Sequence, residues 1–337
     1  MNNSSVGVMR VILAIIALSV AAPACARTAE YDPLRINDSV KSTRLDLAVM
    51  DAQRQREIPL RVFLPATFVP APVLLFSHGL GGTREGNPYL GEHWSARGYV
   101  VVFIQHHGSD DAVWKGMHAE RRMASIRQAA SIENALLRFK DVGVVIDQLE
   151  KWQRAGDSAE SRQLTGRLDL GRLGMSGHSF GAVTTQAVSG QRSVKGDIGF
   201  TDPRIKAAVI MSPNAPRAGD AKKAFAEVRI PWLLMTGTRD VAPVGDATME
   251  LRLAVFPALP PDGKYELVLD GAEHNAFGDR ALPGEHRPRN PNHHRVILGL
   301  STAFWDAWLC NNVSARVWLD GSGALSLLES GDRWQKK

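Results

Sequence analysis

The chain has 337 residues, a formal net charge of +5 and 22% charged residues. Its length is enough for one large domain or two small ones. The positive charge is mild, and no Lys/Arg block with interleaved aromatic residues occurs, which argues against a nucleic-acid-binding protein. The Arg-rich stretch 121–138 is the one candidate basic patch, and we interpret it as the solvated face of a helix.

The first 26 residues have the pattern of a secretory signal peptide. Arg10 precedes an apolar run over residues 11–22, and Ala24-Cys25-Ala26 follows as a small-residue cleavage site. The run is too short to span a bilayer as a mature helix, so no membrane span is expected. We therefore expect an exported protein, periplasmic or secreted, whose mature chain begins at Arg27. Lipid attachment at Cys25 is the alternative.

Loss of Cys25 with the signal peptide would leave Cys310 as the single cysteine. The mature chain then cannot form an intramolecular disulfide, although export would permit one. We expect the Cys310 thiol to be packed within the apolar stretch 304–310. Stability must come from the hydrophobic core.

Apolar runs and helical periodicity alternate along the chain. Strands are predicted over residues 43–50, 58–64, 73–76, 99–104, 170–175, 205–211, 231–235 and 265–269. Helices are predicted over residues 89–96, 117–154, 182–188 and 302–309. The polar, Pro-rich stretch 278–294 is predicted to be a long loop that borders the functional site.

This alternation predicts an α/β fold with a mostly parallel, doubly wound sheet that helices cover on both faces. The first two strands are expected to form an antiparallel hairpin at the N-terminal edge of the sheet. No linker rich in Pro, Gly or Ser divides the chain. We therefore expect a single domain over residues 27–337, in which residues 310–337 form a C-terminal appendage.

The segment Gly177-His178-Ser179-Phe180-Gly181 matches the pattern G-x-S-x-G, between a predicted strand and a predicted helix. The sharp turn of such a segment holds the serine in a strained backbone conformation, and glycines on both sides relieve the crowding. The setting predicts that Ser179 is a nucleophile exposed at the end of the sheet.

A serine hydroxyl needs a base to remove its proton, and the base needs a third group to orient it. Asp240 follows the strand over 231–235, and His274 lies just after the last strand, which is the chain order Ser, Asp, His. Both are expected at the carboxyl edge of the sheet, so we predict Asp240 as the orienting acid and His274 as the base. The alternatives are Asp246, Asp270 and Glu273 for the acid, and His106, His107, His293 and His294 for the base.

The Gly-rich segment Ser77-His78-Gly79-Leu80-Gly81-Gly82 follows the third predicted strand. Its position predicts that the backbone N–H of Leu80, together with that of Phe180, forms an oxyanion hole. No G-K-[ST] follows this loop, which argues against a phosphate cradle, and no H-E-x-x-H pattern occurs. We expect neither a metal site nor a cofactor.

Three segments carry a resemblance to a known family: residues 76–81, residues 105–110 (Gln-His-His-Gly-Ser-Asp) and residues 177–181. Together they resemble the platelet-activating-factor acetylhydrolase and dienelactone-hydrolase-like branch of the α/β-hydrolases, over most of residues 58–310. In the plasma acetylhydrolases of animals the acid follows the strand after the elbow helix. Here that place reads Met211-Ser212-Pro213-Asn214, whereas the turn Asp240-Val241-Ala242-Pro243-Val244 resembles that of bacterial cutinase-like polyester hydrolases.

The resemblance implies the α/β-hydrolase fold and a serine hydrolase that cleaves carboxylic esters through an acyl-enzyme intermediate on Ser179. The expected partner is a small-molecule ester or a lipid- or polyester-like ester. The alternatives are an acyltransferase and a non-catalytic binding protein of the same fold. A peptidase is a third alternative, although no propeller or large cap precedes the domain, which disfavours the oligopeptidase type. The segment 110–138 is a candidate lid, in which Trp114 and Met117 line the acyl site or pack the lid.

Overall fold

The computed structural model describes Met1 and residues 30–36, 42–154, 158–245, 247–279 and 289–337. The residues Tyr31–Lys337 form one compact unit, and the other unit, Met1–Glu30, is described only at its two terminal residues. The predicted signal peptide and Cys25 therefore lie outside the described residues. So do Asp246 and most of the predicted loop 278–294.

The described residues form one sheet of nine strands. The strands are β1 (Thr43–Asp51), β2 (Arg56–Leu64), β3 (Ala71–Ser77), β4 (Val100–Ile104), β5 (Leu168–His178), β6 (Ile205–Met211), β7 (Trp232–Arg239), β8 (Lys264–Glu273) and β9 (Arg333–Lys336). Their order across the sheet is β1-β2-β4-β3-β5-β6-β7-β8-β9. The pairs from β4 to β8 are parallel, while β1–β2, β2–β4 and β8–β9 are antiparallel.

Helices connect and cover these strands. In the described part of the chain they are α1 (Pro88–Ala96), α2 (Ala119–Ala129), α3 (Ile132–Gln153), α4 (Ala159–Leu164), α5 (Phe180–Val188), α6 (Ala221–Phe225), α7 (Met249–Leu253), α8 (Val255–Ala258), α9 (Pro291–Trp308), α10 (Val313–Asp320) and α11 (Ser322–Leu325). Short 3-10 turns cover Asp111–Val113 and His274–Phe277. The predicted α/β class, the mostly parallel sheet and the N-terminal antiparallel hairpin are confirmed, and the arrangement is compatible with an α/β-hydrolase fold.

The central strand β3 is apolar without interruption over residues 73–76. Successive side chains of a strand point to opposite faces of the sheet. Leu74 and Phe76 belong to the core cluster that contains residues of α1 and α9, while Val73 and Leu75 belong to the cluster that contains residues of α3. All four side chains are fully buried. Both faces of the sheet are therefore covered, as expected for a parallel sheet.

Two helix boundaries differ from the sequence prediction. The helical region predicted over 117–154 is two helices, because Ala130 leaves the helical conformation and the Ser131 side chain caps α3 by accepting the Asn134 N–H. The helix predicted over 302–309 begins at Pro291, inside the predicted loop 278–294. Its first turn carries a proline and polar residues, which periodicity of apolar residues does not reveal.

Residues 310–337, predicted as an appendage, contribute to both the core and the sheet. Leu319 and Leu327 are buried in the cluster that contains α9, and β9 pairs with β8 at the edge of the sheet. The expectation that Cys310 is packed is wrong. Cys310 is exposed just after the end of α9, with its Sγ 3.4 Å from the Tyr99 hydroxyl. No helix in the described part of the chain is long and apolar enough to cross a membrane.

The packing of α9 predicts a large effect of one core substitution. Phe304 is fully buried, with ring centroids 5.9 Å from Tyr265 and 5.3 Å from Trp305. Phe304→Ala should lower the free energy of unfolding by about 3–5 kcal/mol, because it leaves a cavity. Urea unfolding measures this change. Val317→Ala on α10, where Val317 is 67% exposed, is the control and should change it by less than about 0.5 kcal/mol. Equal losses would contradict the packing.

Candidate active site

Ser179 is the single residue between the end of β5 and the start of α5. Its backbone angles are φ 58° and ψ −115°, a conformation that is costly for a residue with a side chain. The Ser179 N–H donates to the Met211 carbonyl at 3.0 Å, which ties the turn to the end of β6. A Cβ on Gly181 would overlap the Ser77 carbonyl, and one on Gly177 would overlap the Gly181 carbonyl. Both glycines are therefore needed for close approach of backbone segments.

The structure brings together the three side chains that the chain order predicts to act together. Ser179 Oγ lies 2.8 Å from His274 Nε2, and His274 Nδ1 lies 2.6 Å from Asp240 Oδ1. Asp240 is fully buried and His274 is nearly so, while Ser179 is partly exposed. The carboxylate requires a proton on Nδ1, so Nε2 is free to accept the proton of the serine hydroxyl. The arrangement is suited to activating Ser179 as a nucleophile.

Asp240 is held as a carboxylate by several donors. Oδ2 accepts a hydrogen bond from Thr236 Oγ1 at 2.8 Å, and Oδ1 lies 3.1 Å from Arg252 Nη2 in addition to its bond with His274. Burial raises the pKa of Asp240, but the hydrogen bond and charge of His274 and the charge of Arg252 outweigh it and lower the pKa to about 2. Asp240 is therefore ionised at neutral pH and can orient the imidazole.

Arg252 is a residue of this site that the sequence analysis missed. It lies on α7, is 1% exposed, and donates through Nε to the Asp240 carbonyl at 2.6 Å and through Nη1 to the Ser212 carbonyl at 2.8 Å. It thereby connects the acid turn to the loop after β6. The sequence carries no signal that this arginine is buried, because its partners are mostly backbone carbonyls.

His178 packs against the His274 ring and bonds its backbone carbonyl. Its Nε2 donates to the His274 carbonyl at 2.9 Å, and the two rings have centroids 4.8 Å apart. Burial, together with the charge of His274, lowers the pKa of His178 to about 3. His178 is therefore neutral at physiological pH and keeps the proton on Nε2 that this hydrogen bond requires.

The two predicted oxyanion donors lie beside the serine. Phe180 is the first residue of α5, so its N–H has no acceptor within the helix. The loop that carries Leu80 contacts the same turn, since a Cβ on Gly79 would lie 3.4 Å from Ser179 Cβ. Neither N–H has a hydrogen-bond acceptor among the described residues. Both groups are available to a ligand oxygen.

The alternative bases each have another partner. The shortest side-chain contacts are His106 Nδ1 with Asp141 at 2.9 Å, His107 Nδ1 with Asp110 at 2.9 Å, His293 Nε2 with the Asp270 carbonyl at 3.1 Å, and His294 Nε2 with the Gly278 carbonyl at 3.1 Å. Of the alternative acids, Asp270 accepts from the Thr238 hydroxyl at 3.2 Å. Among the described residues, only His274 is within hydrogen-bond distance of the Ser179 hydroxyl.

Trp114 contacts the glycine loop. Its Nε1–H donates to the Gly81 carbonyl at 2.8 Å, and its ring would lie 3.0 Å from a Cβ on Gly81. Trp114 is therefore one of the residues through which the candidate lid contacts the predicted oxyanion loop, and Met117 beyond it is 38% exposed. The described residues contain no group of three or more His, Cys, Asp or Glu side chains that could hold a metal ion.

The low pKa of His178 predicts a pH dependence of stability. In the unfolded chain a histidine has a pKa of about 6.5 and gains a proton below that value, whereas the folded chain resists protonation down to about pH 3. The stability that neutral His178 contributes is therefore present above pH 6.5 and is lost as the pH falls towards 3. Between pH 7 and pH 5 this single group should lower the free energy of unfolding by on the order of 2 kcal/mol.

The matched variant is His178→Gln, whose amide can donate to the His274 carbonyl but does not titrate. Urea unfolding at pH 7 and pH 5 should show a smaller loss of stability for the variant than for the wild type. An identical loss in both proteins would contradict a neutral, buried His178.

Comparison with known proteins gives one distant similarity. No protein-family model matches the chain. The chain is 23% identical over 211 residues to Cutinase est2 of Thermobifida alba, an alignment that covers 60% of this chain and 52% of the relative. The chain thus spans about half the length of the curated relative that it matches.

Proposed function

We propose that this protein is a serine hydrolase that cleaves carboxylic esters through an acyl-enzyme intermediate on Ser179. The observation that carries the proposal is the continuous hydrogen-bonded chain from the Ser179 hydroxyl through His274 to the buried Asp240 carboxylate. The distant similarity to a cutinase independently supports ester-hydrolase activity. The proposed fold is that of the α/β-hydrolases, with which the order of the strands is compatible.

In the first half of the proposed reaction, His274 Nε2 takes the proton of the Ser179 hydroxyl while Oγ attacks the ester carbonyl carbon. Asp240 keeps the imidazole in the required tautomer and stabilises its cationic form. The tetrahedral intermediate collapses, the bond to the alcohol oxygen breaks, and His274 returns the proton to the leaving alkoxide. The acyl group then remains on Ser179 as an ester.

In the second half, a water molecule loses a proton to His274 and attacks the acyl carbon. The second tetrahedral intermediate releases the carboxylic acid, and Ser179 Oγ takes back the proton. The negative oxygen of both intermediates is bound by the Leu80 and Phe180 N–H groups, and each such donor contributes about 2.7–4 kcal/mol in a comparable site. The positive end of the α5 dipole acts in the same direction. None of these steps needs a cofactor or a metal.

The substrate is a small-molecule ester or a lipid- or polyester-like ester. The turn 240–244 favours the cutinase-like group, while segments 76–81, 105–110 and 177–181 favour the platelet-activating-factor acetylhydrolase and dienelactone-hydrolase-like branch. Turnover of a panel of p-nitrophenyl esters from acetate to palmitate, beside a polyester film, tests the acyl size. Release of no product from any of them would contradict the proposed class.

We further propose that residues 1–26 direct export and that residues 27–337 form one mature domain. The basic residue, apolar run and small-residue site at the start of the chain support this proposal. Mass spectrometry of the protein recovered outside the cytoplasm should detect a chain that begins at Arg27. A lipid-modified chain that begins at Cys25 would contradict this cleavage site.

Ser179→Ala should lower kcat for ester hydrolysis by on the order of 10⁴- to 10⁶-fold and abolish covalent labelling by an organophosphonate, because the attacking oxygen is lost. Ser326→Ala is the control, since Ser326 is exposed on the turn after α11 and its hydroxyl bonds only the Gly323 carbonyl. Labelling of the Ser179→Ala protein at another residue would overturn the assignment. Formation of a new ester when an alcohol acceptor is added would reveal acyl transfer at the second step.

A further inference from the structure

A second network of buried polar side chains lies beneath the loop 77–82, apart from the chain that includes Ser179. The Ser77 hydroxyl donates to His106 Nε2 at 2.9 Å, and His106 Nδ1 donates to Asp141 Oδ2 at 2.9 Å. Arg138 donates to Ser77 Oγ at 3.4 Å. All four side chains are fully buried. The order Ser, His, Asp is that of a catalytic triad, but no substrate can reach Ser77, so this network must serve another purpose.

Arg138 is the member of this network that contacts the loop backbone. From α3 its guanidinium donates to the His78 carbonyl at 2.6 Å and to the Gly79 carbonyl at 3.4 Å. It also donates to Ser109 Oγ at 2.8 Å. Its Cζ lies 4.5 Å from the centroid of the Phe180 ring, within the range of a cation–π interaction. One buried side chain therefore contacts both segments that carry the proposed oxyanion donors.

The Gly79 carbonyl determines the direction of the Leu80 N–H. In a planar trans peptide the C=O of one residue and the N–H of the next point in opposite directions. The Gly79 carbonyl accepts from His78 Nδ1 at 2.6 Å and from the Gly82 N–H at 3.1 Å, as well as from Arg138. With its oxygen turned towards Arg138, the peptide must direct the Leu80 N–H to the opposite side.

His78 also bonds the Gly79 carbonyl, and it does so as a neutral imidazole. Its Nε2 accepts the His106 N–H at 3.1 Å, so Nδ1 carries the proton that it donates to the Gly79 carbonyl. Burial, followed by the charge of Arg138, lowers the pKa of His78 well below its usual value. The neutral His78 ring and the charged Arg138 guanidinium thus both donate to the Gly79 carbonyl.

We propose that Arg138 is the positioning residue of the oxyanion hole, which sets the Gly79–Leu80 peptide and the Phe180 segment so that both N–H groups point to the carbonyl oxygen of the substrate. This inference rests on the proposed function. Arg138 does not touch the reacting atoms. Its role is to prevent the loop from rotating its Leu80 N–H away as charge develops on the substrate oxygen. Because Arg138 is fully buried, the interpretation of 121–138 as a solvated helix face is wrong for this residue.

The test is Arg138→Met, assayed with the p-nitrophenyl ester that the wild type hydrolyses fastest. We expect kcat to fall about 10²-fold, the effect of losing one oxyanion donor, with KM changed less than about threefold. The affinity for benzeneboronic acid, which forms a tetrahedral adduct on the serine, should fall by a similar factor. Loss of packing alone would not weaken the tetrahedral adduct while leaving KM unchanged.

Arg97→Met is the matched control. Arg97 donates to the Asp32 and Arg35 carbonyls and to the Asp306 carboxylate, so the same substitution removes a comparable set of bonds away from the loop 77–82. It should lower the thermal midpoint and leave kcat within about threefold of the wild type. A tenfold or greater loss of kcat in Arg97→Met, or an unchanged kcat in Arg138→Met, would overturn the inference.

Arg138→Lys is a second variant that tests the same role if Arg138→Met does not fold. Lysine keeps the charge beside Asp141, but a single ammonium group cannot bond Ser109 Oγ and the two carbonyls in the planar arrangement of a guanidinium. We expect a folded protein with kcat lowered about tenfold, whereas full activity would refute the role of Arg138. Ser179→Ala in the same assay separates the two proposals: if it is inactive while both Arg138 variants are fully active, only the inference about Arg138 fails.

Discussion

The close approach of two backbone segments underlies the whole site. Gly181, in the first turn of α5, lies directly against the carbonyl of Ser77 at the end of β3, where any side chain on Gly181 would overlap that oxygen. Parallel pairing of β3 with β5 brings both strand ends to the same edge of the sheet. Because the two segments touch there, the serine turn and the loop with Leu80 form one surface. The positive φ of Ser179 is tolerated because the surrounding strands and the hydrogen bond to Met211 hold the turn.

Two buried arginines stabilise this edge of the sheet by the same physical means. Arg252 binds the carbonyls of Asp240 and Ser212, and Arg138 binds those of His78 and Gly79. Burying an arginine carries a large desolvation cost, which is offset only if the guanidinium is paired and its N–H groups are bonded. Asp240 lies beside Arg252, and Asp141 and Asp110 provide the negative charge near Arg138. A planar group with five donors can hold several loop carbonyls at once, which an apolar side chain of the same size cannot do.

Much of the fold was predictable because it depends on local patterns. The strands that become β3 and β4 were predicted from uninterrupted apolar runs, which arise because both faces of the sheet are covered. The boundaries of α2 and α3 were not predictable in this way, since Ser131 and its capping bond act over a few residues within a longer helical pattern. The strand β9 was also missed. Three of its four residues are polar or charged and only one edge of it is paired, so the sequence lacks the alternation that marks a half-buried strand.

The sequence by itself determined the order of strands β1 to β8, the serine turn with its two glycines, and the candidates Asp240 and His274. These features are local, because a turn, an apolar run or a chain order can be read without knowing which distant residues meet. Only the tertiary structure decided that His274 rather than His106 lies at the Ser179 hydroxyl, and that Arg138 and Arg252 are buried beneath the site. Those outcomes depend on contacts between segments far apart in the chain. An arginine bonded to backbone carbonyls leaves no pattern in the sequence that distinguishes it from an arginine in solvent.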